Sequence, residues 1–170
     1  LPEPPIVERD AWEAAPPKDS YTGHKPVFRV VHHTVVPTTT TYAGAASMRG
    51  IQAAHFKRGW IDVGYHFLVG PDGTIFRGRP VTAIGAHCIP NTGKVGISLV
   101  GNFEDEAVPE ASRASLIKLL AYLCSDQGLA VNRIQGHKDL AQTLCPGAKL
   151  HEMLPDIRAA VEQLLQPDNR

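Results

Sequence analysis

The chain reads as a single α/β domain with a central mixed β-sheet flanked by helices. Three observations predict it. Apolar, β-branched runs alternate with stretches of helical period, so strands and helices are interleaved rather than segregated. Two extended arms flank Pro71-Asp72-Gly73, a strong turn signal that marks one hairpin. The length, 170 residues, suits one core of ordinary size, and neither repeats nor a second domain are visible.

The elements follow in order. Residues 1–26 are rich in proline and polar residues and read as an irregular arm packed on the domain and pinned by Trp12; residues 27–166 form the domain itself. "VFRVVHH" is a buried strand over 27–33. In "YAGAASMRGIQAAHFKRG", Met48, Ile51 and His55 or Phe56 recur at helical spacing, and Gly59 is a natural stop. "DVGYHFLVGPDGTIFRGRP" is the hairpin, and "VGISLVGNF" is a strand covered by neighbours on both sides. "PEASRASLIKLLAYLCSDQG" places Leu116, Leu119, Leu120 and Leu123 on one face between Pro109 and Gly128, a helix. "NRIQGH" is a short extended segment. Leu150, Leu154, Ile157, Val161 and Leu164 then mark a last amphipathic helix, with a kink or a start expected near Pro155.

Composition excludes several functions. The formal net charge is zero, against phosphate-backbone binding as the main task, which needs clustered excess Lys and Arg. No apolar run approaches the ~20 residues needed to span a bilayer. The first residue is Leu1 and no signal-type segment precedes it, so either a leader has been removed or the chain is trimmed. Eight histidines in this length direct attention to metal or acid–base chemistry.

Taken singly, each histidine reads as a satisfied core residue and each of the three cysteines as a buried thiol. Together, His32 or His33, His137 and Cys145 offer the nitrogen and sulfur donors of a zinc site with three protein ligands. Side chains alternate along a strand, so only one of His32 and His33 can join. The loop from His137 to Cys145 is long enough to curl back on a point, and Pro146-Gly147 bends the chain behind the cysteine. Cys88 and Cys124 permit a disulfide by number, but one falls in a loop and the other in a helix, which favours two free thiols.

The segments "IVERDAWEAAPP", "VVHHT", "RGWIDVGYHFLVGPDGTIFRGRP", "IGAHCIPNTGKVGISLVGNF" and "GHKDLAQTLCPG" run in order between Ile6 and Gln163. In them the chain resembles the zinc N-acetylmuramoyl-L-alanine amidases, which share a fold with peptidoglycan recognition proteins and phage amidase-lysozymes. The resemblance implies Zn2+ held by His32, His137 and Cys145. It implies hydrolysis of the amide between the lactyl group of N-acetylmuramic acid and L-alanine. Tyr65 is implied as a donor to the tetrahedral oxygen, and Thr143 as a second catalytic hydroxyl. Trp60, His66, Arg79, His87 and Asn91 match substrate-binding positions. Gly59-Trp60 and Arg79 resemble residues that go with a diaminopimelate stem peptide, although "GRP" departs from the family's usual continuation. His33 and His55 are implied as structural or groove-lining, and His24 and His151 as surface residues. Two more departures are Glu13, where glycine is usual, and Ser98, which leaves no carboxylate on its strand to move a proton. The implied partners are peptidoglycan or muropeptide fragments, with no nucleic acid, for a monomer acting outside the cytoplasm or released by lysis. The alternative within the resemblance is a recognition module that holds muropeptides without cutting them; a closed structural zinc site is a third reading and needs a fourth protein ligand.

Overall fold

The computed structural model describes residues 1–167. In chain order the elements are β1 (Phe28–His33), α1 (Ala45–Lys57), β2 (Phe67–Val69), β3 (Ile75–Arg77), β4 (Lys94–Leu99), α2 (Glu110–Gln127), β5 (Ile134–Gly136), α3 (His137–Leu140) and α4 (Ala148–Leu165). The five strands form one sheet in the order β3-β2-β4-β1-β5. Only the β2–β3 hairpin is antiparallel; β2–β4, β4–β1 and β1–β5 are parallel. The sheet is therefore mixed, as expected from one hairpin among crossovers.

Alternation along the strands separates two layers. Val31, Ile97, Leu99, Phe67 and Val69 belong to the larger core, which α2 and α4 cover with Leu116, Leu119, Leu120, Leu123, Leu150, Leu154, Ile157 and Val161. Leu68 and Phe76 belong to the second core, with Met48 and Ile51 of α1 and Trp12 of the arm. β4 is buried at every position, Lys94 and Ser98 included, because both of its edges are paired and both of its faces are covered.

The helix ends match their local chemistry. α2 begins after Pro109 and stops at Gly128, whose φ of 63° is left-handed. α1 stops just before Gly59, at φ 83°. Its inward face carries Met48, Ile51, Gln52 and His55, so of the pair His55 and Phe56 the histidine turns in. The last helix does not start at Pro155. It starts at Ala148, behind the tight turn at Gly147, and runs through Pro155. Pro155 is exposed, so the hydrogen bond it cannot make is lost on the solvent side, where water satisfies the freed carbonyl.

The arm is built into the domain. Trp12 is fully buried, and its indole N–H donates to the Arg77 carbonyl at 2.8 Å. Val7 forms a bridge beside Phe76, exchanging backbone hydrogen bonds with Ile75 and Arg77. That contact covers the otherwise open edge of β3. Arg9 reaches the fully buried carboxylate of Asp62 at 3.0 Å, and Tyr21 and Gln52 also donate to that group. Trp12→Ala empties a buried aromatic site and orphans the Arg77 carbonyl. It is expected to cost about 3–5 kcal/mol, read as a lower urea midpoint with an unchanged slope.

Candidate metal centre and cleft

The pairing of β1 assembles the centre. Val31 lies opposite Gly136, so His137, the next residue after β5, emerges beside His32 near the end of β1. Their rings are 4.6 Å apart between centroids. The turn after α3 brings Cys145 back, with the Lys138 N–H bonded to the Cys145 carbonyl at 2.8 Å. One donor atom from each of His32, His137 and Cys145 then lies within 4.8 Å of the others. His33 points to the opposite face, where its Nδ1 accepts the Phe103 N–H at 3.1 Å. Only its backbone joins the centre, through an N–H directed at Cys145 Sγ from 3.4 Å.

Burial makes the donors neutral. It lowers the pKa of His32 well below the usual histidine value, with His87 and His137 adding to the effect. Burial lowers that of His137 as well, followed by the charge of Lys94. The Cys145 thiol is pushed up to about 12, chiefly by burial. His137 Nδ1 is buried and has no hydrogen-bond partner among the described residues. Two neutral imidazoles, one thiol and an orphaned nitrogen together fit a metal ion of borderline softness with three protein ligands, and none of the groups makes sense as an apolar contact.

The centre opens into a cleft of about 640 Å³, whose walls include Trp60, Tyr65, His87, Asn91 and Thr143. The Tyr65 ring lies 5.2 Å from that of His32. Burial raises its pKa to about 12, so the phenol keeps its proton and acts as a donor. The Thr143 hydroxyl accepts the Cys145 N–H at 3.2 Å, which leaves its own proton free to donate. Asn91 Oδ1 accepts the N–H groups of His87 and Cys88, both at 2.9 Å, so its carbonyl end is committed to the loop. Cys88 and Cys124 are free thiols.

Two residues expected at the substrate lie elsewhere. His66 is fully buried: its Nε2–H donates to the Ala83 carbonyl at 2.7 Å and its Nδ1 accepts the Gly96 N–H at 2.9 Å. Arg79 is 5% exposed, and its guanidinium donates to the carbonyls of Val63, Ile84 and Asp62. Neither lines the cleft. The family resemblance implied both at the substrate because they sit in motif segments with groove residues; the chain instead turns them under the floor, onto backbone partners. His24 is likewise no plain surface residue: it stacks on His66 at 5.9 Å and bonds to Val81 and Gly93. His151 is half-buried and pairs with Asp139 at 2.8 Å.

The cleft also holds residues the sequence reading passed over. Arg58 stacks its guanidinium 5.1 Å from the Trp60 ring centre and lines the cleft with no ion pair among the described residues. Its place directly before Gly59-Trp60 was the available signal. Val35, Ile89 and Leu144 are exposed apolar side chains on the same walls; isolated loop hydrophobics carry no periodic pattern by which they could have been found.

A parallel-rich sheet thus carries a His–His–Cys donor set that could hold a metal ion, at the side of an open cleft. The family described as N-acetylmuramoyl-L-alanine amidase matches residues 22–148, and the chain belongs to it. Peptidoglycan recognition protein 1 of Bos taurus is 36% identical over 155 residues, covering 88% of this chain and 82% of its own. The N-acetylmuramoyl-L-alanine amidase LysC from Clostridium intestinale URNW superimposes with a TM-score of 0.81 at 34% identity, over 94% of this chain and 98% of that one. A Drosophila PGRP-LB mutant in complex with tracheal cytotoxin superimposes at 0.77 with 32% identity, over 87% and 92% of the two chains.

With the imidazoles neutral and the thiol protonated, uptake of Zn2+ at neutral pH is expected to release one proton, from Cys145. Affinity then rises with pH, about tenfold per unit, until the thiol itself ionises. Titration calorimetry in buffers of different protonation enthalpy counts the protons; release of two would mean that an imidazole is charged in the metal-free protein. Arg79→Ala is expected to lower the unfolding free energy by about 1–3 kcal/mol by orphaning buried carbonyls, measured by denaturant unfolding beside wild type.

Proposed function

We propose that the protein is a zinc-dependent N-acetylmuramoyl-L-alanine amidase that hydrolyses the amide between the lactyl group of N-acetylmuramic acid and L-alanine in peptidoglycan. The observation that carries this reading is the donor set of His32, His137 and Cys145 opening beside Tyr65 into a cleft of peptide size. A recognition module needs the cleft but not the thiol, and non-catalytic relatives of this type replace that cysteine, often by serine.

Zinc bound by these three residues would activate water and polarise the scissile carbonyl. The chain's own groups do the rest. Tyr65, held protonated, donates to the carbonyl oxygen as negative charge develops there. Thr143, whose hydroxyl accepts from Cys145 and keeps its own proton, lines the same cleft and offers a second donor. His33 holds the sulfur in place through its backbone N–H. Trp60 offers a flat apolar wall, and Arg58 a cation for a stem-peptide carboxylate. The proposed partners are peptidoglycan or muropeptide fragments, met outside the cytoplasm. No helix among the described residues is long and apolar enough to cross a membrane.

The test is digestion of defined muropeptides with and without a chelator, with products read by mass spectrometry. Wild type is expected to release free L-alanine-terminated peptides, and the chelator to stop it. Cys145→Ser is expected to abolish hydrolysis while leaving part of the muropeptide binding, because serine is a poor zinc ligand and the cleft walls are untouched. Binding without any cleavage by the zinc-loaded wild type would favour the recognition module instead.

A further inference from the structure

His87 lines the cleft, but both of its ring nitrogens are already used. Its Nε2 lies 3.1 Å from the carbonyl oxygen of Lys94. A carbonyl only accepts, so Nε2 carries the hydrogen, and in the neutral ring Nδ1 is left with a lone pair. That lone pair lies 2.9 Å from His32 Nε2. His32 must therefore carry its hydrogen on Nε2, which leaves Nδ1 unprotonated. His32 Nδ1 is the atom that faces the centre, 3.4 Å from Cys145 Sγ. We propose that His87 is a positioning residue, which passes the fixed polarity of the Lys94 carbonyl through its ring to hold His32 with its Nδ1 lone pair turned toward the metal. The inference rests on the zinc reading of the site.

The surroundings of His87 are built for this task. A Cβ on Gly85 would lie 2.6 Å from its ring, and one on Gly96 would lie 2.7 Å from it, so both positions must lack a side chain for the ring to sit there. Asn91 clamps the backbone of His87 and Cys88. Lys94 Nζ ties the same loop to the Pro90 carbonyl at 2.7 Å. His66 meets the His87 ring edge-on, with centroids 5.5 Å apart, and its own two nitrogens are bonded to backbone. The ring is thus held by the Lys94 carbonyl, which can only accept, between two glycines that leave room for it and beside a His66 whose nitrogens are both committed to backbone. A partner that merely contacted substrate would not need its two nitrogens spent in this way. Partners of this kind orient a ligating imidazole and raise its basicity, and their loss costs roughly 10–100-fold in metal affinity.

The test begins with zinc-free wild type labelled with 15N at histidine. Nitrogen shifts are expected to show His32 protonated at Nε2 and His87 unprotonated at Nδ1, with a scalar coupling across the hydrogen bond between them. His87→Phe keeps a ring that the two glycines accommodate but removes the acceptor. Its zinc dissociation constant, by chelator competition, is expected to rise roughly 10–100-fold, and His87→Asn, which restores an acceptor oxygen, to recover most of the loss. His32 found protonated at Nδ1 in wild type, or wild-type zinc affinity in His87→Phe, would overturn the proposal. If His87→Phe does not fold, the wild-type nitrogen shifts decide alone: a proton on Nε2 supports the proposal and one on Nδ1 overturns it. A wild type that binds no zinc would instead sink the amidase reading, and the tautomer measurement would still stand by itself.

Discussion

The strand β1 has a partner on each side, and the site depends on that double pairing. Its register with β4 sets His32 opposite Ser98, and its register with β5 sets Val31 opposite Gly136. A slip of one residue in the first would turn His32 into the layer under α2 and α4 and bring His33 to the cleft. A slip in the second would carry His137 away from its partner ring. The apolar load of β1 and β4 on the α2–α4 side makes such a slip of β1 costly, because Val31, and His33 with it, would leave the core that Val31 shares with Ile97 and Leu99. Packing on one face of the sheet thus sets the geometry of the ligands on the other.

Beneath the cleft lies a floor of buried polar groups bound largely to backbone. His24, His66 and His87 each donate one ring N–H to a backbone carbonyl. Arg79 spans three carbonyls, and Asp62 gathers Arg9, Tyr21 and Gln52. Such networks are expensive when incomplete and rigid when complete. Here they hold the loops between β2 and β4 against the sheet, where regular strand pairing is short. The high histidine count therefore has two causes. Two of the eight are in the donor set, while several others serve as neutral, two-ended connectors between backbone groups.

The chain's own order already carried the sheet class, the two long amphipathic helices, the hairpin turn and the caps at Gly59 and Gly128, because periodicity and turn chemistry are local properties. It also carried the idea of a His–Cys donor set and, through whole motifs, the family. Local signals could not say which polar side chains face solvent. His66 and Arg79 sit in motif segments with groove residues, yet both ended as buried connectors, while Arg58, outside any expectation, took a place on the cleft wall. Pro155 likewise signals a break by its own chemistry, but the helix runs through it because the lost hydrogen bond falls on the wet side.

What the sequence by itself determined, then, was which residues are able to ligate, cap, turn and fill a core. Tertiary structure alone decided which of them meet. His32, His87, His137 and Cys145 come from four separate segments, and their convergence is set by strand register and by two glycines that leave room for one ring. The tautomer of His32 is decided further away still, by a carbonyl on β4. A side chain's donor chemistry is local, but the state it adopts depends on the partners that the long-range packing brings to it.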